Sequence, residues 1–333
     1  MTRIHHKLYE LVGHTPLLEL DNYEAALGID AHIIGKLEYL NPTGSVKDRI
    51  AINMIETAEK EGRLKRGDTI LDYTSGNTGI ATASYANAKG YRYATVIQPG
   101  VSAERTLILR ALGVTIYQAA DVPGFPELLA SGLSVEGLNN LFESFAREHG
   151  YYYISQCSNK ANVLAHYEHT APEIWEDTGG KVDYAVACVG TGGTLAGLSR
   201  YFKERNPKVR IIGVQPAEPS RRTPEHPNPN VIDGILVFNG VPNAAVLGFF
   251  DKDNPPYDEV IDVVAEDAYA AGRKVALTDG VFLGQSAGAA LFAATQVARR
   301  PEARGKNIVA VLADNAFKYL STQMYRLHDE LHV

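Results

Sequence analysis

Residues 69–98 run Thr69-Ile-Leu-Asp-Tyr73, then Thr74-Ser-Gly-Asn-Thr-Gly79, then a helix-spaced segment to Lys89, then Tyr93-Ala-Thr-Val-Ile-Gln98. An apolar run, a small polar loop, a helix and a second apolar run make the repeating unit of a parallel sheet. The alternation extends in both directions from there. Apolar runs predict buried strands over 33–37, 69–73, 93–98, 114–117, 151–155, 184–189, 210–214 and 307–312. Helical spacing predicts helices over 49–61, 78–89, 103–112, 133–149, 194–205 and 266–276. Strands alternating with helices give parallel sheets covered on both faces, so the expected class is α/β, with two doubly wound three-layer αβα domains. The stretches 121–132 and 218–230 read as irregular loops within this pattern.

The composition agrees with that class and excludes others. The chain has 333 residues, 45% hydrophobic and 21% charged, which suits a soluble protein with a sizeable core and not a disordered one. A net charge of −7 argues against sequence-independent nucleic-acid binding. The uncharged run 184–199 contains four glycines and is too short to span a membrane. Two cysteines, Cys157 and Cys188, cannot form a disulfide framework, so a reducing, cytoplasmic setting is expected. No apolar stretch follows the charges at the N-terminus, so no signal peptide is expected.

In sheets of this kind ligands bind beyond the carboxyl ends of strands, and four loops there have unusual composition. Asn41-Pro-Thr-Gly-Ser-Val-Lys-Asp-Arg49 puts Lys47 in the first turn of a helix. The helix dipole there disfavours an ammonium, which leaves a nucleophilic amine suited to Schiff-base chemistry; an isolated surface lysine is the bland alternative. Thr74-Ser-Gly-Asn-Thr-Gly79 offers more hydroxyl and amide groups than a helix cap requires, and forms a pocket for a carboxylate or phosphate. Gly190-Thr-Gly-Gly-Thr194 lets the backbone approach an anion at a helix N-terminus. Leu195 breaks the dinucleotide fingerprint, so a single phosphate is the better fit. Gly284-Gln-Ser-Ala-Gly288 matches the nucleophile elbow of hydrolases, but the short segment after it, ending in Asp314, His328 and His332, leaves little room for the remaining strands and a separate acid loop. A serine that hydrogen-bonds a heteroaromatic ring fits equally well. The pairs His166/His169 and His328/His332 have metal-like spacing without a third ligand, and no metal is expected.

Together these loops resemble the cysteine synthase family, which includes the β-synthases of cystathionine. The likeness runs from Val12-Gly-His-Thr-Pro-Leu17 to the segment 314–322, and rests on Asn-Pro-Thr-Gly-Ser-Val-Lys-Asp-Arg and Thr-Ser-Gly-Asn-Thr-Gly in that order. It implies pyridoxal 5'-phosphate as cofactor and fold type II, the tryptophan-synthase β-subunit architecture. It implies a smaller, mobile domain over 35–150 carrying the carboxylate loop, and a larger one over 13–34 plus 151–333 carrying the phosphate loop. Lys47 would bind the cofactor as a Schiff base. Asn77 would bond its ring hydroxyl, Gly190, Thr191, Gly192, Gly193 and Thr194 would cradle its phosphate, and Ser286 would face its pyridine nitrogen. Thr74, Ser75, Thr78 and Gln156 would hold the substrate carboxylate. A homodimer acting on a small amino-acid substrate, without nucleic-acid or membrane partners, is also implied.

The reaction so implied is β-replacement on O-acetylserine or O-phosphoserine with sulfide, a transferase of cysteine biosynthesis. A neutral Ser286 hydroxyl makes the ring a weaker electron sink, which favours elimination and replacement over transamination. Two departures fall beside the substrate: Tyr73 where the family has a small residue or proline, and Cys157 at a position usually aromatic. They leave open a synthase that uses an amine or another thiol, or a serine/threonine dehydratase. A catalytically silent regulatory homologue is the alternative of another class, against which Lys47, Asn77 and Ser286 argue. Arg221 and Arg222 could read the phosphate of O-phosphoserine, or could be solvated side chains.

Overall fold

The described residues form ten strands, and those at the centre of each sheet are apolar enough to be buried on both faces. The ten are β1 (Leu17–Glu19), β2 (His32–Leu37), β3 (Thr69–Tyr73), β4 (Arg92–Ile97), β5 (Thr115–Gln118), β6 (Tyr152–Tyr153), β7 (Tyr184–Cys188), β8 (Arg210–Pro216), β9 (Glu259–Val263) and β10 (Asn307–Leu312). The computed structural model describes residues 4–74, 76–98, 102–132, 134–223, 225–240 and 247–326; Ser75, His328 and His332 lie outside these.

The strands form two sheets, a six-stranded one in the order β1-β2-β10-β7-β8-β9 and a four-stranded one in the order β5-β4-β3-β6. All pairings are parallel except β1 with β2. Helices connect them: α1 (Asp21–Leu27), α2 (Lys47–Lys60), α3 (Asn77–Lys89), α4 (Ala103–Ala111), α5 (Phe125–Ala130), α6 (Val135–His149), α7 (Lys160–Ala165), α8 (Ala171–Asp177), α9 (Gly193–Arg205), α10 (Ala265–Thr278) and α11 (Gln285–Ala298).

Each sheet has an apolar core on both faces. Alternate residues of β10 divide between the cores: Ile308, Ala310 and Leu312 pack with α10 and α11, while Val309 and Val311 face the α8 and α9 side. In the smaller sheet Ile70 packs with α2, α3 and α7, and Leu71 with α5 and α6. This is the three-layer α/β architecture expected.

Several details depart from the sequence expectation. The strand over 32–37 pairs with β10, not with its successors in the chain, and β6 pairs with β3. Crossover connections put neighbours in sequence into different sheets. The stretch 121–132, read as a loop, contains α5: Pro126 suits a helix's first turn, and Phe125 is buried beside Phe142. Strands β1 and β9 and helices α1, α7, α8 and α11 were not anticipated. No described helix is long and apolar enough to cross a membrane.

Candidate active site

The carboxyl ends of β2, β3, β7 and β10 carry the loops that meet. After β2 the chain turns at Gly44, whose φ of 79° suits glycine, and enters α2 at Lys47. Asp48 braces this turn: its carboxylate accepts from the Thr43 N–H at 3.0 Å and the Thr43 hydroxyl at 2.6 Å, and Tyr85 donates to it as well. Val46 N–H donates to the Ala313 carbonyl at 2.8 Å, and Ser45 bridges to Asp314. Lys47 is thereby fixed beside the end of β10. Burial pushes its ammonium below the usual lysine range, with Asp314 the largest charge working against that shift. The sequence points to the helix dipole as the cause, whereas in the folded chain desolvation comes first.

Helix α3 begins at Asn77. Its side-chain N–H donates to Asp314 at 2.7 Å, and its carbonyl oxygen accepts from Lys318 at 2.8 Å. At the next residue, the buried Thr78 hydroxyl donates to the Gln156 side-chain oxygen at 2.7 Å, and Gln156 donates to the Tyr73 carbonyl at 3.4 Å. Thr74 is held through its backbone, its carbonyl accepting from Thr95 at 2.6 Å. Thr74, Thr78 and Gln156 therefore come together; Ser75 lies outside the described residues.

The glycine loop leads from β7 into α9. Glycine is required there for close approach: a Cβ on Gly190 would lie 2.5 Å from the Gly234 carbonyl oxygen, and one on Gly193 1.9 Å from Asn162 Oδ1. Asn162 donates to Thr191 Oγ1 at 3.1 Å, and His166 Nε2 lies 3.2 Å from Thr194 Oγ1. His166 is buried in a π-helical turn, 166–170, and burial drives its pKa far down, so it is neutral. Both its nitrogens face threonine hydroxyls, Thr170 at 3.0 Å being the other, which removes it from metal binding. Ser286 is the second residue of α11 and is buried; its carbonyl accepts from the Cys188 thiol at 3.1 Å.

Sequence reasoning missed Asp314 as part of this constellation, together with Lys318 and Asn162. The first two follow the carboxyl end of β10, so the strand-end rule could have found them. The hydrolase elbow has no support: no described strand leads into Ser286, and Asp314 is bonded to Asn77 and to Tyr319. Arg221 donates to the Pro216 carbonyl at 2.8 Å and pairs with Asp262 at 3.6 Å, and Arg222 is exposed, so neither is built into these loops.

A model of pyridoxal-phosphate-dependent enzymes matches residues 8–314. Cysteine synthase 3 of Caenorhabditis elegans is 37% identical over 317 residues, covering 95% of this chain and 88% of that protein. The chain belongs to the cysteine synthase family. Among solved structures, cysteine synthase of Entamoeba histolytica superposes with a TM-score of 0.83 at 35% identity, covering 99% of this chain and 93% of that one. An O-ureido-L-serine synthase gives 0.83 at 33% identity, covering 98% and 97%. The fold of this chain is thus that of the tryptophan-synthase β-subunit-like enzymes.

The residues present fit the cofactor of this family. Lys47 is a desolvated amine, the glycine loop opens the N-terminus of α9 where any side chain would collide, and buried Asp314 Oδ1 has no protein partner.

Proposed function

We propose that this member of the family replaces the leaving group on Cβ of an activated serine, O-acetylserine first among donors, with sulfide, and that Lys47 holds the cofactor. The observation that carries the reading is the desolvated Lys47 amine on a loop that Asp314 and Lys318 join to Asn77 of the carboxylate loop. When bound, pyridoxal phosphate supplies an electron sink that acidifies the Cα–H bond and lets the Cβ substituent leave. Lys47 Nζ would hold the cofactor aldehyde at rest and carry the Cα proton during turnover. Thr74, Ser75, Thr78 and Gln156 would orient the substrate carboxylate, residues 190–194 would bind the phosphate, and Ser286 would meet the pyridine nitrogen.

The reading includes a smaller domain, expected over 35–150, that closes on a larger one, 13–34 plus 151–333, and excludes water; sheet membership moves β2 to the larger unit and β6 to the smaller. It also includes a homodimer and a cytoplasmic setting. Borohydride reduction of the holoenzyme followed by peptide mapping is expected to place the pyridoxyl label on Lys47; a label on another lysine overturns the assignment. Mixing holoenzyme with O-acetylserine, O-phosphoserine or serine separates donors by which one changes the cofactor absorbance.

A second reading keeps the first half-reaction and changes the nucleophile. Its support is Tyr73, whose ring stacks on Phe142 at 4.9 Å beside the carboxylate loop, and the likeness to an O-ureido-L-serine synthase. Competition between sulfide and amine or thiol nucleophiles, scored by product mass, decides between them.

A further inference from the structure

The amide of Asn77 sits between two buried groups of opposite charge. Its Nδ2 donates to Asp314 Oδ2 at 2.7 Å, and its Oδ1 accepts from Lys318 Nζ at 2.8 Å. Asp314 is 0% exposed and Lys318 5%. A flipped amide would set N–H against ammonium and oxygen against carboxylate, so the two charges allow one orientation. Asn77 Nδ2 carries two hydrogens, and Asp314 takes only one.

Both charged groups are themselves fixed. Besides Asn77, Lys318 Nζ donates to the carbonyls of Thr43 at 3.0 Å and Gly44 at 3.4 Å, three acceptors for three N–H groups. Thr43 and Gly44 belong to the loop that delivers Lys47. Asp314 Oδ2 also accepts from the Tyr319 hydroxyl at 2.5 Å.

We infer that Asp314 and Lys318 are positioning residues that lock the Asn77 amide with its second N–H turned to the ring hydroxyl oxygen of the cofactor, and that Lys318 couples this lock to the loop carrying Lys47. The inference rests on Asn77 being the contact to that hydroxyl. It explains why a lysine and an aspartate are buried near one another without a direct ion pair between them: the amide lies between them.

The test uses holoenzyme reconstituted with pyridoxal phosphate, and follows cofactor affinity of the apoprotein, the absorbance maximum of the bound cofactor and its pH titration, and thermal melting of both forms. Lys318→Met is expected to weaken cofactor binding about tenfold, the scale of one hydrogen bond to a charged group, and to shift the absorbance titration. Lys318→Arg is expected to restore most of both. In an Asn77→Ala background Lys318→Met is expected to change neither further. Equal effects of Lys318→Met in both backgrounds, or a lower melting temperature with unchanged absorbance and affinity, overturn the positioning role. Asp314→Asn, which keeps shape and lets the amide flip, is the second variant and is expected to act in the same direction. If Asn77→Ala alone leaves affinity and absorbance unchanged, the ring-hydroxyl contact fails and this inference falls with it.

Discussion

Asp72 is the last but one residue of strand β3, almost wholly buried, and its Oδ2 has no partner. Burial raises its carboxyl to about 7, against the backbone N–H groups of Tyr73 and Gln156 that favour the anion. In the unfolded chain an aspartate titrates near 4. Below that pH both states hold the proton and the group has no effect. Between about 4 and 7 the unfolded chain ionises while the fold keeps the proton, so the native state loses up to roughly 4 kcal/mol. Asp72→Asn cannot ionise. Its melting temperature is expected to exceed that of the parent by a margin that opens from pH 4 to pH 7 and then stays level. Parallel melting curves across that range would remove Asp72 as the cause. At Ser286 the prediction concerns chemistry instead. Ser286→Asp places a carboxylate where a neutral hydroxyl stands, and is expected to shift the cofactor absorbance, lower β-replacement and raise transamination. An unchanged product profile rejects the electron-sink argument. Single residues of this kind were partly legible: Lys47, Asn77 and Ser286 sit in loops of distinctive composition. Asp314, Lys318 and Asp72 were not, because a lone charged residue in a sequence does not reveal which charge the fold will bury beside it.

Among the elements, the strands most readable were those buried on both faces. Thr69–Tyr73 and Asn307–Leu312 are apolar or β-prone apart from Asp72 and Asn307, and the sequence ranges match the structure. The strand β1 has three residues at an antiparallel edge, and β9 is an edge strand containing Glu259 and Asp262, so neither has a run to detect. Helix α11 is buried nearly all round, which erases the one-sided pattern that betrays a surface helix. The glycine loop before α9 yields a sharp test. Gly193→Ala would drive its Cβ into Asn162, which is itself bonded to Gln156 and Thr191. Cofactor affinity is expected to fall by an order of magnitude or more, about the energy of one lost charged hydrogen bond, while far-ultraviolet dichroism stays unchanged. Retained affinity would show that the loop has room to give. The start of α2 offers a stability test. Arg49 is buried, with Glu38 at 2.7 Å and Glu173 at 2.6 Å, and these carboxylates hold its guanidinium well above the usual range. Arg49→Met leaves two carboxylates facing each other and is expected to cost about 3–5 kcal/mol in urea unfolding. A loss under 1 kcal/mol would mean that water replaces the guanidinium.

Across the whole molecule, α4 ties the smaller sheet to the C-terminal segment. Arg105 pairs with Asp233 at 2.5 Å, Ser102 donates to the Lys318 carbonyl at 3.0 Å, and Ser321 donates to Glu104 at 2.8 Å. Arg105→Ala removes the one of these contacts that reaches the segment beside the glycine loop. The KM for the donor is expected to rise severalfold with a smaller change in kcat, as for a lid that closes less often. A fall in kcat at constant KM would place Arg105 in the chemistry instead.

Strand β10 lies between β2 and β7, and its far end supplies the aspartate on which the Lys47 loop and Asn77 converge. Nearly all of the chain must therefore leave the ribosome before the central sheet can be zipped together. Until then β2 and β7 lack their shared neighbour and expose a long apolar margin, the kind of surface that chaperones retain. A nascent polypeptide released before residue 307 is expected to have no vitamin-binding competence at all, so activity in the cell would switch on late in synthesis and in a single step.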